Sequence, residues 1–163
     1  AFGLKNLDLQ GEFNMVKPFT YSHYDSVSNY THYNQPLAHP MGANFAEFVG
    51  IARYQPHPKW TIQGKLIAWK QGLDSAGINF GSNIFRLYDS RPKDYGWSVG
   101  EGRPATGVNA SLYVGYEVLE NLYIDASLMV RKYDVPDDSK LTRNSSVFSI
   151  GLRMNMFRRE YDY

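Results

Sequence analysis

The sequence predicts an all-β fold, six antiparallel transmembrane strands that form part of a larger β-barrel. Three observations predict it. Six stretches of about ten residues alternate apolar and polar side chains at period two, the length a tilted strand needs to cross a bilayer. The connections between these stretches are alternately short and long, as in barrels with tight turns on the periplasmic side and long loops outside. Aromatic residues make up 15% of the chain, with 13 Tyr, 9 Phe and 3 Trp, and such rings concentrate where one end is apolar and the other wet.

The first strand is expected over 7–15, with Leu7, Leu9, Gly11, Phe13 and Met15 on one face and Asp8, Gln10, Glu12 and Asn14 on the other. The second, over 44–54, groups Ala46, Phe48, Gly50, Ala52 and Tyr54, while Val49 and Ile51 blur its opposite face. The third sets Trp60, Ile62, Gly64, Leu66 and Ala68 against Thr61, Gln63, Lys65 and Trp69. The two cleanest alternations follow: Val108, Ala110, Leu112, Val114 and Tyr116 in the fourth, then Leu122, Ile124, Ala126, Leu128 and Val130 in the fifth. The sixth carries Phe148, Ile150, Leu152, Met154 and Met156 opposite Ser149, Arg153 and Asn155. Helix fits none of these runs, which are rich in Val, Ile, Tyr and Phe at period two and are punctuated by Gly and Pro.

Residues 55–59 and 118–121 are short connections, whereas 17–43, 71–105 and 134–145 are long external loops. Six strands do not close on themselves, since single-chain barrels start at about eight. Residues 1–163 are therefore expected to be the C-terminal portion of one outer-membrane barrel domain, with the missing strands before Ala1 and a periplasmic tail over 158–163. A soluble β-sandwich would also alternate, but the regular strands and the strict rhythm of connections favour the membrane barrel. On that reading Leu112, Val114, Leu128, Val130, Ile150 and Leu152 face lipid, and Tyr54, Trp60 and Tyr116 mark the periplasmic boundary.

Composition narrows the chemistry. The absence of Cys excludes disulfides, thiolate metal sites and a cysteine nucleophile. A net charge of +1 offers no electrostatic footprint for nucleic acid. No run of about 18 apolar residues is present, so no membrane-spanning helix is predicted. The mean hydropathy of -0.45 fits a barrel, which shows lipid only every second residue.

The candidate ligand-binding residues lie in the first long connection: Tyr21, His23, Tyr24, Tyr30, His32, Tyr33, Asn34, Gln35 and His39. Rings stack on the C–H faces of a sugar while amides and imidazoles meet its hydroxyls. The same residues would equally serve to pack the loop onto the barrel mouth, and both readings stand at this point. The spacing of His23, His32 and His39 matches no zinc pattern, and Asp134, Asp137 and Asp138 lack the glycine and terminal Glu of an EF-hand, so neither metal nor cofactor is expected. Glu12, Lys65, Glu117, Asp125, Arg131 and Arg153 are expected to pair with one another on the inner wall. No nucleophile, base and orienting acid assemble, so an enzyme is not expected.

Tyr21-Ser22-His23, Tyr33-Asn34-Gln35 and the run Leu37-Ala38-His39-Pro40-Met41-Gly42-Ala43-Asn44 resemble a segment of the capsule assembly protein Wzi family, which includes barrels described as gliding-motility protein RemB. The resemblance implies a barrel of about eighteen strands in the cell outer membrane, acting in attachment or assembly of capsule or exopolysaccharide. Its implied partners are outer-membrane lipid and surface polysaccharide. The alternative is a non-catalytic accessory subunit of a gliding-motility or protein-secretion complex, partnered by the other subunits.

Overall fold

A computed structural model describes residues 3–75 and 77–155. Met156 and the tail over 158–163 lie outside the described residues. The strands are β1 (Leu7–Val16), β2 (Thr31–His32), β3 (Gln35–Pro36), β4 (Phe45–Tyr54), β5 (Trp60–Leu73), β6 (Arg103–Leu119), β7 (Leu122–Asp134) and β8 (Arg143–Met154). Apart from the small β2–β3 hairpin, they form one six-stranded antiparallel sheet in the order β1-β4-β5-β6-β7-β8. All six expected strands are present, and each pairs with its neighbour along the chain.

Several strands outrun their expected ends. β5 continues to Leu73 and β6 begins at Arg103, so the second long connection is 74–102 and not 71–105. Likewise β7 reaches Asp134 and β8 starts at Arg143, which trims the third connection to 135–142. At 14 and 17 residues, β5 and β6 exceed the roughly 9–11 that a tilted strand needs to span a bilayer. The surplus, pairing Gln71 with Ala105 and Gly72 with Pro104, rises at the loop end as a platform for the connections.

Register carries the alternation of each strand into the next. Phe13 pairs with Phe48, Phe48 with Ala68 and Ala68 with Val108. Two rows along, Gly64 pairs with Leu112, Leu112 with Leu128 and Leu128 with Phe148. Because side chains alternate faces strictly, these pairings place the apolar sets of all six strands on one side of the sheet. That side is uncovered: Phe148, Ile150 and Leu152 are 66%, 68% and 71% exposed. Toward the loops the apolar band gives way to Lys70, Thr106, Lys132 and Asn144, which share its face.

The opposite face is polar, with an apolar island where Val49 pairs with Ile67 beside Ile51. The residues that blurred β4 in the sequence therefore lie together on this wall.

The short turns both lie at one end and the long connections at the other. Lys59 O accepts from Glu117 N at 2.8 Å, joining the two short turns. At the second of them Asn121 takes φ +64 and the register shifts between Glu117 and Leu119, the combination of left-handed residue and bulge that closes many short hairpins. Trp60 and Tyr116 pair here, ring centroids 4.8 Å apart, at the end remote from the loops that carry Tyr24 and Trp97.

Fully buried apolar residues gather at the loop end: Ala43, Phe45, Ile84, Ala105 and Val135. Among the described residues no second layer covers the sheet's apolar face, as the core of a sandwich would require.

Candidate functional site

The connections at the loop end are organised around Asn44. This residue closes the first connection at φ +59, a left-handed conformation that Asn tolerates better than most. Fully buried, it shares its two side-chain N–H groups among Gly72 O at 2.8 Å, Glu101 O at 2.8 Å and Phe80 O at 3.1 Å. Its Oδ1 accepts from Gly100 N at 2.8 Å. Gly72 is required beside it, because a Cβ there would strike the Glu101 carbonyl and come within 2.5 Å of Asn44 Nδ2. Asn79, also buried, performs a similar task within the second connection by donating to Leu87 O and accepting from Gly81 N, both at 2.8 Å.

Trp97 joins the first two connections. Its ring lies 4.9 Å from Phe19 and 6.3 Å from Phe80, with Lys93 Nζ 4.8 Å over its face. Lys93 also pairs with Glu101 at 2.7 Å. That hydrogen bond, aided by Ser98 N, holds the Glu101 carboxyl below its ordinary pKa. The third connection is tied to the platform by Arg103 and Asp138 at 3.0 Å.

The sequence-predicted residues separate into two groups on this frame. Tyr21 and Tyr30 stack at 5.7 Å, and Tyr30 N donates to Tyr21 O at 3.1 Å. The β2–β3 hairpin projects from this stack. Tyr33 and Asn34 form its two-residue turn with φ of +46 and +58, both left-handed as a type I′ turn demands. His32 rests edge-on against Tyr33 at 4.2 Å, and Gln35 pairs with His32. His23 N donates to the side chain of buried Asn29, while His23 Nδ1 receives Asp25 N at 3.2 Å. Tyr24 and Tyr33 are 70% and 89% exposed.

His39 belongs to the second group, at the top of β4. Its Nδ1 accepts from Met41 N at 3.2 Å, so Nε2 is the nitrogen free to donate to Glu47 Oε2 at 3.1 Å. Asn14 also donates to that carboxylate at 3.2 Å, and the imidazole lies over Phe45 at 4.4 Å. Pro40 and Gly42, at φ +73, set the turn that places it. His39 is thereby a packed, hydrogen-bonded residue of the loop base.

Five residues of the sheet's polar face come together below this base, among them Arg131, expected on an inner wall, and Gln71, expected in the connection over 71–105. Trp69, Gln71, Asn109, Arg131 and Tyr133, with Met41 above them, line an open cleft of about 380 Å³ on the polar face. Gln71 Nε2 fixes its roof by donating to Met41 O at 2.8 Å and Ala43 O at 3.2 Å. Trp69 lies across Gly107, where any Cβ would overlap the indole. The expected mutual pairing of inner-wall charges is realised only by Asp125 and Arg153, at 2.8 Å, with Tyr113 donating to Asp125 at 2.6 Å. Glu12, Lys65, Glu117 and Arg131 take no part in the ion pairs among the described residues.

Among the described residues no group of three or more His, Asp or Glu is arranged to hold a metal ion. Comparison of the chain with family models, with curated proteins and with solved structures returned no match.

Proposed function

We propose that the chain is part of an outer-membrane β-barrel, in the manner of the capsule assembly proteins its first connection resembles, and that its loop end binds surface polysaccharide. The carrying observation is the uncovered apolar face, continuous across six strands in register, with all long connections at one end of the sheet. In water so much exposed apolar surface is a liability, whereas in a bilayer it is the stable arrangement. The free edges of β1 and β8 would cost several kcal/mol per unpaired group in lipid, so further strands complete the barrel. Exposed Tyr24 and Tyr33 on a loop held by Asn29, Asn44 and Trp97 supply rings in fixed positions, and preordered rings lose little entropy when a sugar stacks on them.

The test is retention of surface polysaccharide by cells expressing full-length variants. Tyr24→Ala with Tyr33→Ala should release polysaccharide while barrel heat-stability stays within about 0.5 kcal/mol, as befits exposed positions. His39→Ala should instead lower heat-stability. Full retention by the double tyrosine variant would contradict glycan binding through this loop and favour a docking role toward other membrane proteins.

A further inference from the structure

We infer that the cleft beneath the loops binds the carboxylate-bearing sugar units of an acidic polysaccharide, with Arg131 receiving the carboxylate beside the rings of Trp69 and Tyr133. This rests on the polysaccharide reading above and adds the charge of the ligand and the residues that select it.

Four observations lead to it. First, the Arg131 side chain has no hydrogen bond or ion pair among the described residues, although Arg86, Arg91, Arg103 and Arg153 each have a carboxylate. Arg143, which pairs across the strands with Tyr133 on the same face, also lacks one. Two guanidinium groups without counter-ions on one wall attract an anion, and a planar carboxylate fits the guanidinium fork with two parallel hydrogen bonds.

Second, Asn109 sits directly opposite Arg131 in the β6–β7 register, and its side-chain oxygen is buried without a hydrogen-bond partner. Buried acceptors are rarely left so, and a turn of this amide toward the cleft that it lines would let a sugar hydroxyl donate to it.

Third, Trp69 and Tyr133 occupy the next row, separated by Gly107. The indole lies over that glycine and fills the position between the two strands, so Trp69 and Tyr133 form one aromatic side of the cleft. Flat apolar faces at this position suit the C–H face of a pyranose ring.

Fourth, the site is open and fixed. The cleft's volume of about 380 Å³ admits a sugar unit or two, and Gln71 braces its roof through Met41 and Ala43. Glu47, in the row of Trp69 and Gly107, accepts from His39 and Asn14 and makes no ion pair with Arg131. Neutral glycans would use only the rings and the amide. Acidic ones would add the charge-assisted bonds.

Full-length protein in detergent, titrated with galacturonic-acid oligomers and with galactose oligomers of the same length, tests the inference. Wild type should bind the acidic oligomer about tenfold or more tightly, the effect of one charge-assisted contact, with the preference shrinking as salt rises. Arg131→Gln should abolish the preference, Arg131→Lys should retain part of it, and Trp69→Ala should weaken both oligomers. Equal binding of the two oligomers by wild type, or a preference that survives Arg131→Gln, overturns the inference while leaving the broader reading intact if extracted surface polysaccharide still binds. Failure of wild type to bind extracted polysaccharide or either oligomer removes both.

Discussion

Asn44 concentrates into one amide the connection between three segments that are distant in sequence. Its side chain serves Gly72 on β5, Phe80 and the 100–101 turn, and no water replaces those bonds because the group is fully buried. Asn44→Ala would leave the Gly100 amide and several carbonyls short of partners, at about 1–3 kcal/mol for each buried group left unsatisfied. Amide hydrogen exchange should speed up through 98–102 and remain slow in 124–130. Unchanged protection at 98–102 would show that the connections are held by something other than this residue. The sequence hinted at Asn44 only as the last residue of a motif. Its role depends on bonds to positions 28, 36 and 57 residues away, which no local pattern reveals.

Strands were legible because one face of each is apolar over four or five successive odd or even positions, and a period of two survives without knowledge of the partner strand. Their upper ends were not. Gln71, Gly72 and Pro104 are not alternating residues, yet they extend the ladder because the neighbouring strand is already in place. The cleft was hidden for the same reason: Trp69, Arg131 and Tyr133 meet only through the register across a connection spanning 74–102. The aromatic loop was legible as a rich segment, but its division into an exposed hairpin and a structural His39 was not. Within the second connection the Lys93 and Glu101 pair predicts a pH response. Glu101 is held below its ordinary pKa, chiefly by the Lys93 hydrogen bond, so its contribution is full above the unfolded value and is lost as pH falls through the folded one. Lowering the pH through the acidic carboxylate range should therefore loosen this connection around Trp97, read as a change in Trp97 fluorescence that Glu101→Gln abolishes. A response that persists in Glu101→Gln would assign it to another group.

For the whole molecule, one sheet with an apolar and a polar face makes sense only if something apolar covers the first. On the proposed reading a bilayer does so without a second protein layer, with the short turns that carry Trp60 and Tyr116 at one boundary and the long connections at the other. The most direct measurement uses the absence of Cys from residues 1–163, with any cysteine elsewhere in the full-length protein replaced by serine so that each introduced one is the sole thiol. Single substitutions to Cys at Ala126, Ser127, Leu128, Met129 and Val130, in full-length protein in intact outer membranes, would be treated with a membrane-impermeant thiol reagent. The account predicts protection at 126, 128 and 130, reaction at 127 and 129 where a water-filled lumen meets the wall, and ready reaction of Tyr33→Cys at the hairpin tip. Reaction of Leu128→Cys as fast as Tyr33→Cys would contradict it.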